Sequence, residues 1–320
     1  MANFELQESG PKLVLGTAQF NTASSKRYGA CNKTKLTTQQ IIKILSKAED
    51  LHIGCIDTGS GYGNVNEHLL EYYQSDIRVT DIGTKIMDMK WVTDKMTVSQ
   101  IKEKIMIEIE PLDKTHHLDI VSFHSFSDYE KMKCRKALIS LKNEGLINNI
   151  GVSVYYYWQI VKVIGDPDFD YIQIPFNILT AFNLKDLIIE RKEKFNRPIR
   201  IDVRSIFLQG ILLNHDYKYW KKIPKMSKES HCEFIKLLNK IKEEFGYQSM
   251  IELTYGYLKS FPWINGVIVG VDNIEQLQEN YWIFQQTMPI TETDYQRMQP
   301  LIRKIVNQTA DVLDPTKWKK

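Results

Sequence analysis

Eight short runs rich in Ile, Val and Leu punctuate the 320-residue chain, and the stretches between them carry helical patterning. The runs fall at 13–17, 53–57, 78–84, 119–123, 149–152, 171–175, 199–205 and 266–269. Helical spacing of apolar residues occupies 38–51, 67–73, 98–109, 128–144, 157–164, 184–194, 231–245 and 250–260, and 274–284 follows the last run. Strands that alternate with helices of this length build βαβ units and hence a parallel sheet. Eight such units fit a closed α/β (β/α)8 TIM barrel better than an open, doubly wound sheet. The open sheet would place a G-x-G-x-x-G turn after its first strand. Gly16-Thr17-Ala18-Gln19-Phe20 stands there instead. No low-complexity linker interrupts the pattern, so residues 1–320 are expected to form a single barrel domain.

Local signals agree with the helical segments. Ile41, Ile42, Ile44, Leu45 and Ala48 recur at helical spacing behind Thr37-Thr38, a good N-cap. Asp128 is expected to cap the helix carrying Met132, Ala137, Leu138 and Leu141, and Gly145 stands where that helix should stop. The stretch 212–230, with its Lys, Tyr and His residues and Pro224, reads as a long loop after the seventh strand.

Composition narrows the functional classes. Hydrophobic residues make up 43% of the chain and charged residues 25%, which is ordinary for a domain with a sizeable core. A net charge of +3 is too small to imply a nucleic-acid or membrane-surface partner, and Lys221-Lys222 and 317–320 are short solvated runs. Cys31, Cys55, Cys134 and Cys232 form no C-x-x-C pair, so neither a disulfide framework nor a zinc knuckle is expected. His116, His117, His215 and His231 show no metal-ligand spacing with carboxylates, and no metal is expected. Residues 1–8 lack the basic-then-apolar pattern of a signal peptide, and no apolar stretch approaches the ~18 residues of a membrane span. A cytoplasmic location is the expectation. Nothing suggests a coiled coil or a large exposed apolar helix, which points to a monomer or weak dimer.

Four reactive side chains follow from the strand pattern. Asp57 ends the second run, Lys85 lies just past the third and His124 just past the fourth, while Tyr62 sits in the glycine-rich loop Thr58-Gly59-Ser60-Gly61-Tyr62-Gly63. Taken singly, each has an ordinary explanation. An Asp after a strand is commonly a turn or cap residue, a Tyr between glycines packs on a loop, and a His at a strand end makes a structural hydrogen bond. In a barrel, however, the carboxyl ends of consecutive strands share one mouth, and that mouth is where active sites are built. A phenol with a pKa near ~10 is a weak acid at neutral pH unless a neighbouring cation lowers it. Lys85 can supply that charge, Asp57 can hold Lys85, and His124 can donate to a substrate carbonyl.

In Gly54-Cys55-Ile56-Asp57-Thr58, Tyr62-Gly63, Thr84-Lys85 and His124 the chain resembles the aldo-keto reductases, matching that family's Asp-Tyr-Lys-His tetrad in order and position. Gly151-Val152-Ser153, Tyr171-Ile172-Gln173 and the stretch from Val269 to Asn280 are similar to its cofactor-binding segments, so the likeness runs from Leu13 to Asn280. Leu15-Gly16-Thr17-Ala18-Gln19-Phe20, Val203-Arg204-Ser205-Ile206-Phe207-Leu208-Gln209-Gly210 and Val267-Ile268-Val269-Gly270-Val271 resemble a bacterial branch found with surface-polysaccharide and flagellin-sugar biosynthesis. The resemblance implies an NADP- or NAD-dependent carbonyl reductase with Tyr62 as proton donor, Lys85 and Asp57 as its tuning pair and His124 as carbonyl orienter. It also implies that Ser153 and Gln173 hold the nicotinamide carboxamide and that Gly16 and Thr17 lie against the cofactor. Ser205, Leu208 and Gly210 would follow its pyrophosphate, Gly270 would mark the turn leading to the adenosine, and Gln276 and Asn280 would hold the adenine half. Without the resemblance, Gln276 and Asn280 read equally well as an exposed helix face.

Four positions depart from the family pattern. Val154 replaces a usual Asn, which removes one carboxamide contact. Arg204 stands where an aromatic ring often stacks on the nicotinamide; its guanidinium plane could stack there or bind an anionic substrate. The loop 63–66 is one residue longer than usual. Asp272 lies near the adenosine 2′ position, where a carboxylate would repel a 2′-phosphate and accept from a 2′-hydroxyl.

Aromatic residues crowd two later loops, Tyr155-Tyr156-Tyr157-Trp158 and Tyr217, Tyr219 and Trp220. Rings of this kind stack on sugars, though packing on the barrel rim explains Tyr157 and Trp158 at least as well. Tyr155 and Trp220 are the expected substrate contacts, for a small carbonyl compound, sugar or nucleotide sugar. Two alternatives stay open: a cofactor-binding sensor or assembly subunit with weak catalysis, and a sugar dehydrogenase running the reverse reaction.

Overall fold

The computed structural model describes residues 10–21, 36–73, 81–86, 89–180 and 182–308. Cys31, the N-terminal octet, residues 78–80 of the expected third strand and the 317–320 run lie outside them. The strands are β1 (Lys12–Gly16), β2 (Cys55–Asp57), β3 (Asp81–Ile86), β4 (Leu118–Phe123), β5 (Asn149–Ser153), β6 (Tyr171–Pro175), β7 (Arg200–Arg204) and β8 (Gly266–Gly270). They pair in parallel, in chain order, and β1 meets β8 in register from Lys12↔Gly266 to Gly16↔Gly270. The expected (β/α)8 barrel is therefore present and closed, which leaves no sheet edge among these strands.

The helices are α1 (Thr38–Asp50), α2 (Val65–Tyr73), α3 (Val98–Asp113), α4 (Phe126–Glu130), α5 (Met132–Asn143), α6 (Tyr157–Ile164), α7 (Lys185–Phe195), α8 (Tyr217–Trp220), α9 (Lys228–Glu244), α10 (Met250–Lys259), α11 (Ile274–Gln286) and α12 (Glu292–Gln308). Thr37 caps α1 in a reciprocal box: its hydroxyl accepts from the Gln40 N–H at 3.3 Å, and Gln40 Oε1 accepts from the Thr37 N–H at 2.8 Å. The helix then buries Ile41, Ile44, Leu45 and Ala48 against the barrel wall. Ile41, Ile44 and Leu45 each contribute about 1.5–3 kcal/mol when fully buried. Gly145 ends α5 at φ +74°, the left-handed conformation that a helix stop requires.

Three expectations are corrected. The segment 128–144 is two helices rather than one, because Lys131 is extended (φ −70°, ψ 108°) between α4 and α5. Asp128 does not cap the helix carrying Met132, since Lys131 precedes α5 without a side-chain cap; Asp128 lies inside α4, whose cap is Ser125, and is buried, accepting from the Met89 N–H and pairing with Lys131 Nζ at 2.7 Å. The stretch 212–230 is not one open loop, since it contains α8 and the start of α9. A further helix, α12, was not anticipated, because Pro300 sits inside its pattern and reads as a breaker. Its Met298, Ile302 and Ile305 are nonetheless fully buried.

The barrel interior is unusually polar for a packed core. Arg200 donates from Nε and Nη2 to the two oxygens of Asp202, each at 3.0 Å, and reaches Cys55 Sγ across the barrel at 3.4 Å. The Tyr171 ring lies beside this pair, 6.0 Å from the guanidinium. Gly151 makes room for that ring, because a Cβ there would sit 2.6 Å from Tyr171 Cδ1. No helix of the described residues is long and apolar enough to cross a membrane.

Candidate active site

Asp57, the last residue of β2, is fixed by its neighbours at both backbone and side chain. Its carbonyl accepts from the N–H of Thr17 at 2.9 Å and from the Thr17 hydroxyl at 3.1 Å. Its Oδ1 accepts from Lys85 Nζ at 2.6 Å and from Gln173 Nε2 at 2.7 Å. Lys85 is 2% exposed, so this ion pair is screened little by water.

The loop that carries Tyr62 is laced along β3. The Thr58 N–H donates to Gly83 O at 2.8 Å, Lys85 N–H to Thr58 O at 3.2 Å, and Ser60 N–H to Lys85 O at 3.0 Å. The Ser60 hydroxyl also donates to the Glu108 carboxylate, tying the loop to α3. The Tyr62 N–H then turns back to Gly59 O at 2.9 Å, which lays the phenol over Gly59. Gly63 follows at φ +74°, a conformation that costs any other residue. The result is a buried Tyr62 ring with Lys85 Nζ 5.4 Å from its centroid. His124 stands half-buried at the same carboxyl end, its N–H held by Ile86 O at 3.1 Å.

The electrostatics differ from the simple expectation. Burial pushes the Tyr62 phenol well above the ordinary tyrosine range, Asp57 adds to the rise, and Arg204 is the cation that opposes it. Lys85 also stands beside the ring, its Nζ 5.4 Å from the centroid. Its own ammonium is held below the usual lysine range by burial, with Asp57 opposing and Arg204 adding to the fall. The phenol of the free protein is therefore firmly protonated.

The residues expected to hold a nicotinamide cofactor fit one. Ser153 and Gln173 are register partners at the ends of β5 and β6. Gln173 Nε2 is committed to Asp57 and to Tyr171 Oη at 3.1 Å, whereas Gln173 Oε1 is buried with no hydrogen-bond partner among the described residues. An orphaned acceptor of this kind suits the amide donor of a carboxamide. After β7, Ser205, Leu208, Gln209 and Gly210 all have positive φ (56°, 47°, 55° and 86°). These residues wind the chain into tight turns, in which the Leu208 N–H donates to Ser205 O and the Gly210 N–H to Phe207 O, each at 2.9 Å. Gly16 pairs with Gly270 at the mouth, and α11 opens shortly afterwards with Asn273 as its cap. A helix N-terminus at that point attracts phosphate.

The remaining expected contacts lie as follows. Gln276 Oε1 accepts from the Asp272 N–H at 2.9 Å, so it helps to cap α11. Asn280 is buried rather than on an exposed face; its Oδ1 accepts from Tyr255 Oη at 2.6 Å and locks α11 to α10. Val154 is fully buried, its N–H on Gln173 O at 2.9 Å. Trp220 is not available to a substrate. It is fully buried against His231 and Phe234, with Nε1 donating to Asn214 O at 2.6 Å, because the short helix α8 turns its indole inward. Tyr155 remains exposed, and the Arg204 guanidinium lies 4.4 Å from its ring centroid.

The sequence places Tyr171 in a segment similar to the cofactor-binding ones but gives it no role of its own; in the structure its hydroxyl accepts from Gln173 Nε2. A signal existed. Residues i and i+2 of a strand share a face, so an inward Gln173 implies an inward Tyr171. Among the described residues no cluster of three or more His, Cys, Asp or Glu is placed to hold a metal ion.

Comparison with known proteins places these observations. The sequence pattern of the aldo/keto reductase family matches residues 12–303. No curated protein matches the sequence. Among solved structures, the fold is similar to that of the glycerol dehydrogenase from Gluconobacter oxydans, with a TM-score of 0.63 and 18% identity over 93% of this chain and 92% of that one. It is also similar to a Pseudomonas aeruginosa protein assigned to the aldo-keto reductases, with a TM-score of 0.58 and 17% identity over 88% and 94% of the two chains. At such identities the structural likeness speaks for the fold, and membership rests on the sequence match. The chain belongs to the aldo/keto reductase family and is a nicotinamide-dependent oxidoreductase for small carbonyl compounds.

Proposed function

We propose that Tyr62 is the proton donor of a carbonyl reductase whose substrate is a sugar or a nucleotide-linked keto sugar. The observation that carries this reading is the buried Lys85–Asp57 pair at 2.6 Å, set 5.4 Å from the centre of the Tyr62 ring. When bound, the nicotinamide cofactor supplies a hydride to the carbonyl carbon. Tyr62 gives its phenolic proton to the carbonyl oxygen, and the phenolate left behind is stabilised by the positive charge of Lys85. Asp57 holds that ammonium in place, and His124 donates to the carbonyl oxygen and orients it. The same residues serve alcohol oxidation by microscopic reversal.

Ser153 and Gln173 are assigned to the carboxamide, and Gly16, Thr17, Ser205, Leu208 and Gly210 to the remainder of the cofactor, with Asp272 favouring NAD over NADP. The exposed rings of Tyr155, Tyr156 and Tyr157 beside the mouth offer apolar faces for a pyranose, which supports the sugar reading and the likeness to the polysaccharide branch. The protein is read as a single-domain cytoplasmic enzyme, monomeric or weakly dimeric. A panel of keto sugars, nucleotide sugars and simple aldehydes, each assayed with NADH and NADPH, tests the proposal. Turnover should be fastest with a sugar-derived carbonyl and NADH, and oxidation of neither cofactor by any member would refute it.

A further inference from the structure

Arg204 closes β7 opposite Pro175 and projects beside the catalytic residues, yet its guanidinium has only weak, neutral partners. Nε reaches Ser153 Oγ at 3.3 Å, while Ser205 Oγ and Val154 O lie at 3.5 Å, the outer limit of a hydrogen bond. Two other arginines near the barrel are satisfied very differently. Arg200 forks onto Asp202, and Arg191 donates to four backbone carbonyls between 2.6 and 3.1 Å. Among the described residues no carboxylate forms an ion pair with Arg204.

Charge balance around the mouth makes the same point. Asp57 answers Lys85 and Asp202 answers Arg200, which leaves the charge of Arg204 over. That charge is close enough to act on both Tyr62 and Lys85. The Tyr155 ring lies against the guanidinium, 4.4 Å from ring centroid to its central carbon, and the donors have only the three long neutral contacts already given. A half-buried, positioned and uncompensated guanidinium is the chemistry that recognises carboxylate or phosphoryl oxygens by paired hydrogen bonds.

We propose that Arg204 binds an anionic group, carboxylate or phosphoryl, carried by the substrate close to its carbonyl. The inference rests on the carbonyl-reductase reading, since it presupposes a carbonyl seated at Tyr62. It also gives position 204 a role in substrate choice rather than in stacking on the nicotinamide.

The test compares matched aldehydes that differ only in charge: butanal with succinic semialdehyde, and glyceraldehyde with glyceraldehyde 3-phosphate. Wild-type protein should favour the anionic member of each pair by about 10- to 100-fold in kcat/KM, the worth of a charge-assisted hydrogen bond. In Arg204→Gln that ratio should collapse toward one, mainly through KM, and Arg204→Lys should restore part of it. Fluorescence titration of NADH and NADPH runs alongside, and calorimetric titration with succinate and inorganic phosphate reads anion binding without turnover. Arg204-dependent anion binding with no turnover of any aldehyde would uphold the anion site and overturn the reductase reading. Equal kcat/KM within the wild-type pairs would overturn the assignment. So would an Arg204→Gln variant that weakens both members equally together with the cofactor, because Arg204 would then serve the cofactor.

Discussion

Gln173 Nε2 stands 2.7 Å from Asp57 Oδ1, on the same oxygen that accepts the Lys85 ammonium. One amide thus touches the ion pair behind Tyr62 and carries an oxygen that is buried with no hydrogen-bond partner among the described residues. Tyr171 Oη, 3.1 Å from the same nitrogen, fixes the orientation of that amide. On the proposed assignment, positioning of the carboxylate and binding of the nicotinamide share a side chain.

This relationship has a measurable consequence. Tyr171→Phe keeps the ring in the space left by Gly151 and removes only the hydroxyl. It should lower stability by about 1 kcal/mol, the net worth of one hydrogen bond. It should also weaken cofactor binding by about three- to tenfold, the same hydrogen-bond energy expressed as a ratio. Gln173→Leu should weaken cofactor binding further and lower kcat as well, since it releases Asp57 too. Stopped-flow cofactor titration and steady-state kinetics on both variants check this; wild-type cofactor affinity in Tyr171→Phe would show that Gln173 needs no support.

The pH dependence follows from the burial of Tyr62. Its phenol is raised, first by burial and then by Asp57, so the proton needed for reduction stays on well past the ordinary tyrosine value of ~10. The kcat for reduction should hold level through neutral and mildly alkaline pH and decline only beyond about pH 10. Stability gives a less direct readout. A raised phenol contributes stability that is fully present below the unfolded pKa near ~10 and is lost as pH climbs toward the folded value. Lys85, lowered by burial, runs the other way, its contribution present above the unfolded lysine value near ~10.4 and lost as pH falls. The two oppose each other over the same alkaline range, so the pH–rate profile is the cleaner measurement. An alkaline limb near neutral pH would contradict the raised phenol.

Much of this was legible in the sequence because barrel strands end in functional residues. Asp57, Lys85 and His124 each stop or follow an apolar run, and the run alone places them at one mouth. Gly63 was legible as part of a turn, and the left-handed loop after β7 coincides with the residues expected at the pyrophosphate. What could not be read depends on packing across the barrel. Trp220 looks like a rim aromatic in one dimension, and only the inward turn of α8 shows that it is core. Asn280 looks like an exposed helix residue until Tyr255 is found beneath it. The cation that opposes the rise at Tyr62 is Arg204, from a strand 142 residues away in the chain (204 − 62), and no local pattern links the two.

The central claim is that Tyr62 is the acid and the groups around it are its setting. Tyr62→Phe keeps the ring that packs over Gly59 and deletes the one proton the mechanism spends. Single-turnover reduction of a reactive aldehyde by cofactor-loaded protein, with cofactor affinity measured on the same samples, tests it most directly. The rate should fall by about 100- to 10,000-fold, the range of general-acid catalysis, while the dissociation constant for NADH or NADPH changes by less than about threefold. A variant that still reduces the aldehyde within about tenfold of wild type, well short of that range, would contradict the claim.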